Sequence, residues 1–360
     1  MSSYAFRHSA RAGLVAGALL FAGATHAADF PPPAEADCVL ENFRFSGGES
    51  LPQLRIHYRT VGQLQKKGHR TNAVLIGHGT GGSGAQFIRP EFAGELFGAG
   101  QPLDAAKFFV VMPDGIGHGK SSKPSDGLKA KFPRYGYHDM IDAQFGLLTQ
   151  CLHVEHLRLV MGTSMGGMHT WLWGEVHPDF MDALMPLASL PTEISGRNRV
   201  WRRTLIDAIR NDPAWEGGNY SAQPPSLRTA AELIFFMGSN PVLRQEQMPT
   251  LAKADEVLDK SINEQLKTMD ANDVLYQVSA SWDYAPGTSL EKIRAPLLAI
   301  NSADDLINPP ELGILEREIK RVPRGKAVVL PLSPQTRGHG THTLAALWKD
   351  RLVALLKESE

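Results

Sequence analysis

The sequence predicts an α/β protein: a doubly wound, mostly parallel sheet carrying a helical lid inserted before its last strands. Three observations predict it. Short apolar runs, each ended by Gly, Ser, Asp or Asn, recur along the 360 residues, and such runs suit strands buried on both faces. Helix-like patterns alternate with them, which indicates helices on both sides of one sheet. The alternation stops between Leu190 and Lys292, where only helix-like segments occur.

In chain order, residues 1–27 read as a signal peptide. Arg7, His8 and Arg11 form a basic start, "AGLVAGALLFAGA" is too short an apolar stretch to span a bilayer comfortably, and "THAA" offers a small-residue cleavage site after Ala27. A periplasmic or secreted protein is expected. "PPPAEAD" (31–37) reads as a polyproline leader. "LPQLRIHYRTVG" (51–62) alternates like an edge or antiparallel strand. The buried runs are "NAVLIGHG" (72–79), "KFFVVMPDG" (107–115), "LRLVMGTS" (157–164), "DALMPLAS" (182–189), "APLLAINS" (295–302) and "KAVVLPLS" (326–333). Helices are expected over 138–152, after Ser164, over "PPELGILEREIKRV" (309–322), which starts on a favourable Pro, and over 342–359. The core is therefore assigned to 28–189 and 296–360, and the helical lid to 190–295. A structureless loop that long would be implausible in a compact domain.

Composition narrows the functional classes. With 42% hydrophobic residues, 21% charged residues and a formal net charge of −1, the chain has the makings of a large core and no polyanion-binding surface. Nucleic acid is not an expected partner. No later run is long enough to cross a membrane. A homo-oligomer, if one forms, would by default be a dimer. The two cysteines, Cys38 and Cys151, form no CxxC pair or Cys/His cluster, so neither metal nor cofactor is expected. Export would permit a disulfide, but Cys151 sits in an apolar helical pattern, and a buried inert thiol is the preferred reading there.

The chemistry centres on "GTSMGG" (162–167). A hydroxyl needs a base to become a nucleophile, and a sharp strand-to-helix turn lifts it off the sheet with amide N–H groups beside it. Ser164 ends a strand-like run and begins a helix-like one, between Gly162 and Gly166. An acid and a histidine must follow on strand-end loops. "NSADDLINPPE" offers Asp304, with Asp305 as alternate, and "RGHGTHT" offers His339, with His342 as alternate. Amides of Thr80, in "GHGTGGSG", and of Met165 are the candidate oxyanion donors. Phe235 and Trp282 are candidates to line an acyl pocket. Arg199, Arg202 and Arg203 cluster on one lid helix; a solvated face is the preferred reading, contact with a carboxylate substrate the alternative.

At these residues the sequence resembles the α/β-hydrolase superfamily, and more closely its homoserine O-acetyltransferase branch. The resemblance runs from about residue 48 to the C-terminus through "NAVLIGHGTGG", "FFVVMPDGIGHGKSS", "HDMIDAQFGLL", "GTSMGGMH", "MDANDVLYQVSASWDY" and "NSADDLINPPE". It implies the nucleophile at Ser164, the acid at Asp304 and the base at His339. Three departures stand out. The leader would export this chain from the compartment of acetyl-CoA; Ala231 and Phe235 stand where the transferases carry an Arg and a Tyr; and "GHGTH" replaces their "GHD". On these grounds the expected function is an exported serine hydrolase of carboxylic esters, with amides and lactones as further substrates. An acyltransferase is the alternative, and a non-catalytic binding protein on the same scaffold the second alternative.

Overall fold

A computed structural model describes residues 30–360. The signal-peptide reading of 1–27 lies outside the described residues. Strands β1 (Ala34–Arg44) and β2 (Ser50–Val61) form an antiparallel pair. A two-residue pairing, β3 (Lys66–Lys67) with β4 (Arg70–Thr71), leads into β5 (Ala73–Gly77). Then follow β6 (Phe109–Pro113), β7 (Leu159–Thr163), β8 (Leu184–Leu187), β9 (Leu297–Ser302) and β10 (Gly325–Leu330). The main sheet has the order β1-β2-β6-β5-β7-β8-β9-β10. β2 is antiparallel to both its neighbours, and β6 through β10 are parallel.

The unbroken apolar runs follow from burial on both faces. On β5, Ala73 and Leu75 join one core with Trp171, Trp173 and Met140, while Val74 and Ile76 join the other with Phe92, Leu352 and Leu355. Helices α2 (Tyr137–Gly146) and α3 (Met165–Val176) supply the first core. Helix α1 (Ala93–Leu96) and the C-terminal helix Lys349–Glu358 supply the second. Between β8 and β9 lie α4 (Gly196–Arg210), α5 (Ser226–Met237), α6 (Pro241–Gln247), α7 (Leu251–Leu266) and α8 (Ala271–Ser279). They pack around a third core of Leu205, Ile209, Leu227, Ala230, Leu275 and Val278.

Four local expectations are corrected. Residues 34–37 are not polyproline leader but the start of β1, which buries Cys38 and Leu40 and covers β2, so that β2 is the antiparallel strand expected and not an edge. Cys38 and Cys151 are joined in a disulfide rather than left as thiols; it ties β1 to the π-turn (Leu147–Cys151) that continues α2. The helix expected over 309–322 breaks at Gly313 (φ 60°) into a turn and a short α9 (Ile314–Glu318). The last helix, α10, begins at Lys349 and not at 342, because residues 340–347 form two tight turns held by Trp348, whose indole donates to the His342 carbonyl (3.1 Å).

Candidate active site

Ser164 sits between β7 and α3 with φ 55° and ψ −111°. A non-glycine residue in that region carries on the order of 1–3 kcal/mol of strain, which the surroundings must hold. They do: Ser164 N–H donates to Leu187 O (2.9 Å) and Gly166 N–H to His78 O (2.9 Å). The helix start presses on β5, and a Cβ at Gly166 would lie 2.0 Å from Gly77 O. Glycine is therefore required there by packing.

The loop after β10 brings His339 to this serine. His339 Nε2 lies 2.8 Å from Ser164 Oγ, and His339 Nδ1 lies 2.9 Å from Asp305 Oδ2. An ionised carboxylate only accepts, so Nδ1 carries the proton and Nε2 is free to accept from the serine hydroxyl. Asp305 is 1% exposed. Its Oδ1 accepts from Ile307 N–H (2.8 Å) and Asn308 N–H (3.2 Å), and its Oδ2 also from Asn308 Nδ2 (3.1 Å). Burial pushes its pKa up, but the His339 ring, the Asn308 amide and the Ile307 N–H outweigh that and hold it below the ordinary carboxylate value.

Asp304, expected to be the acid, does not reach His339. Its Oδ2 accepts from Gly338 N–H (2.8 Å) and from Asn240 Nδ2, so it fastens the histidine loop to the helical insertion. The neighbour faces the imidazole because the Asx turn from Asp305 to Asn308 rotates its carboxylate inward, and Asn308 is itself anchored by donating to Ala188 O (2.8 Å). His342 does not reach Ser164: its Nδ1 bonds the His339 carbonyl, and desolvation with the nearby His339 pushes its pKa down to about 3.

A cavity of about 860 Å³ opens onto Ser164 and His339, and Thr80, Gln86, Arg202, Ile234, Asp273, Gln277 and His342 are among its lining residues. The Thr80 loop is held by His78, whose Nδ1 donates to Gly79 O (2.8 Å) and whose Nε2 accepts from Gly115 N–H (2.9 Å). Met165 begins α3, whose N-terminus points at the serine. The two expected pocket aromatics are displaced from the cavity. Phe235 lies under the Arg244 guanidinium (4.3 Å to the ring), and Trp282 is 47% exposed, donating to Tyr135 O with Arg134 stacked on it. In both cases an arginine covers the ring, and neither ring lines the cavity. Arg202, read as part of a solvated cluster, is instead buried. Asn308, which steadies the acid through its side-chain amide, is not among the sequence-predicted site residues, and its place in the sequence gives no signal of that role. Among the described residues no group of three His, Cys, Asp or Glu side chains is placed to hold a metal ion.

These features define an α/β-hydrolase fold enzyme, and the chain belongs to that family: the family described as alpha/beta hydrolase fold matches residues 72–331. Within it the chain stands near the homoserine O-acetyltransferase branch. A homoserine O-acetyltransferase of Trichormus variabilis is 30% identical over 296 residues, spanning 74% of this chain and 79% of the relative. A probable acyltransferase of Methanothermobacter thermautotrophicus is 30% identical over 277 residues, spanning 76% and 83%. The homoserine O-acetyltransferase of Bacillus anthracis shares the fold, with a TM-score of 0.78 at 21% identity over 90% of this chain and 97% of that one. These findings overturn the expected ester hydrolase, because the sequence relatives are named as acyltransferases. The motifs could not separate the two activities, since one triad serves both and only the group that resolves the acyl-enzyme differs.

No helix among the described residues is long and apolar enough to cross a membrane.

Proposed function

We propose that the chain is an acyltransferase of the homoserine O-acetyltransferase type, working through an acyl-enzyme on Ser164. The observation that carries this is the relay from Ser164 Oγ through His339 to Asp305 on a chain whose relatives are acyltransferases. His339 Nε2 takes the hydroxyl proton as Oγ bonds to the acyl carbon of an ester or thioester donor. The donor's C–O or C–S bond breaks, and its leaving group departs with that proton. An acceptor hydroxyl then gives its proton to His339 and attacks the acyl-enzyme, and the proton returns to Ser164 as the new ester leaves. Asp305 keeps the imidazole in the useful tautomer and balances its charge in each half. N–H groups of Thr80 and Met165 receive the oxyanion; losing one such donor costs about 10²–10³ in turnover. The helical insertion 190–295 acts as the lid over the cavity.

The Cys38–Cys151 disulfide supports a location in an oxidising compartment, periplasmic or secreted. A product survey tests the activity. The purified chain receives an acyl ester and a series of small alcohols, homoserine included. Acyl transfer should dominate with at least one acceptor and vanish in Ser164→Ala; free acid as the only product throughout would overturn the proposal.

A further inference from the structure

Arg202 is 2% exposed, yet no carboxylate among the described residues pairs with it. Its Nε donates to Asn198 Oδ1 (3.0 Å), one Nη reaches toward Ser281 Oγ (3.4 Å), and the guanidinium lies 4.9 Å from the centre of the Trp201 ring. These partners are neutral, as is the Tyr137 hydroxyl beside the guanidinium, and they do not use all five N–H donors. Removing a cation from water without a counter-charge is strongly unfavourable, and arginine does not escape it by losing a proton. Burial pulls its pKa down, and the Arg199 charge bears on it unfavourably as well. A fold that retains such a group leaves it short of one anion.

The place for that anion is visible. Arg202 lines the same cavity as Ser164 and His339. Beside it, the Tyr137 hydroxyl and Thr80 Oγ1 are buried without a hydrogen-bond partner among the described residues. Burial raises the Tyr137 pKa, while Arg202 and Thr80 lie close enough to pull against it. Two buried hydroxyls without a well-formed hydrogen bond and a guanidinium without a counter-charge thus lie together, Thr80 and Arg202 on the cavity wall and Tyr137 beside them. Of the described residues, three acidic ones line the cavity, and none pairs with Arg202: Asp273 accepts from Ser125 N–H and Oγ, Asp270 from the Tyr220 hydroxyl and Gln223, and Glu91 makes no salt bridge to it.

We propose that Arg202, with the hydroxyls of Tyr137 and Thr80, anchors a carboxylate carried by the substrate and so sets substrate choice. The inference rests on the acyl-enzyme reading above. The planar fork of Arg202 suits two carboxylate oxygens, and the hydroxyls donate to the lone pairs that remain. The carboxylate belongs either to the acyl group or to the acceptor, and two arms separate these sources.

The test compares twins that differ only in charge. In the acyl arm, kcat/KM is measured for the p-nitrophenyl half-ester of glutarate and for p-nitrophenyl glutaramate. In the acceptor arm, L-homoserine is compared with L-homoserinamide, with p-nitrophenyl acetate as donor. The expected result is a preference for the carboxylate of roughly 20-fold in one arm, the size of a charge-assisted hydrogen-bonded contact. Arg202→Met should erase that preference, chiefly through KM, and Arg202→Lys should reduce it. Ratios near one in both arms overturn the proposal, as does an Arg202→Met protein that loses both twins equally. Should Arg202→Met not fold, Arg202→Lys decides by the same ratio, with an unchanged ratio counting against the proposal. The acyl arm needs only acylation of Ser164, so it reads Arg202 even if water proves to be the acceptor and the transferase reading falls.

Discussion

Replacing Asp305 by asparagine should disable the relay while leaving the fold in place, and the same change at Asp304 should not. Asp305 Oδ2 accepts from His339 Nδ1 at 2.9 Å, and both its oxygens are held by Ile307 and Asn308. An asparagine keeps the Ile307 and Asn308 N–H contacts only with its oxygen toward them, which turns its NH₂ toward the imidazole and gives up the bond from Asn308 Nδ2. Nδ1 must then accept, the proton moves to Nε2, and the lone pair facing Ser164 at 2.8 Å is lost. A wrong tautomer of this kind costs a serine protease triad about 10⁴-fold in turnover, or about 5.5 kcal/mol of barrier. Among the described residues Asp304 accepts from Gly338 N–H and Asn240 and from no other group. Both bonds go to Oδ2, so Asp304→Asn keeps them with its amide oxygen there and gives up only the charge assistance, about 1 kcal/mol, which predicts a decline of no more than roughly fivefold. The assay is the second-order rate of fluorophosphonate labelling at Ser164 alongside kcat/KM, with thermal melts of each variant. An Asp304→Asn protein more damaged than Asp305→Asn would refute the assignment of the acid.

Reducing the Cys38–Cys151 bond, or replacing both residues by serine, should lower stability by about 4–5 kcal/mol on the chain-entropy estimate for a closed loop of this size, seen as a lower melting temperature with reductant; the sequence separation is 113. Gly166→Ala should cost at least about 3 kcal/mol in urea unfolding, since its methyl would meet Gly77 backbone rather than a movable side chain. Glu175, with Oε1 buried and unpartnered, has its pKa raised to about 8 by burial against the opposing pull of Lys292. The folded state therefore holds a proton that the unfolded chain releases near 4.5, so this group's share of stability is full below pH 4.5 and is lost as pH rises toward about 8. Glu175→Gln should flatten the melting temperature between pH 5 and 8; an unaltered slope would count against this.

The parallel sheet was legible because burial on both faces leaves a simple mark: β5 to β9 are apolar at nearly every position. β1 carries no such mark. Most of its side chains face solvent, and it is held by backbone pairing to β2 and by Cys38 and Leu40, so the three prolines just before it and its own acidic residues spoke louder. The turn at Ser164 was legible because its glycines answer a close backbone approach. Which of two adjacent aspartates faces His339 was not, since the choice depends on a rotation set by Asn308 and Ala188. Arg202 was opaque for a related reason. Helical spacing places it in a basic cluster, and only the packing of α4 against α8 and Trp201 shows that it alone of the three is buried.

The central claim is that an acyl group pauses on Ser164 and leaves on an alcohol. Rapid quenching of the purified chain with an acyl ester, followed by mass measurement of the Ser164 peptide, tests it most directly. The account predicts an acyl mass increment on that serine whose decay quickens in proportion to an acceptor alcohol. No increment, or an increment that decays at one rate whatever acceptor is present, would contradict it.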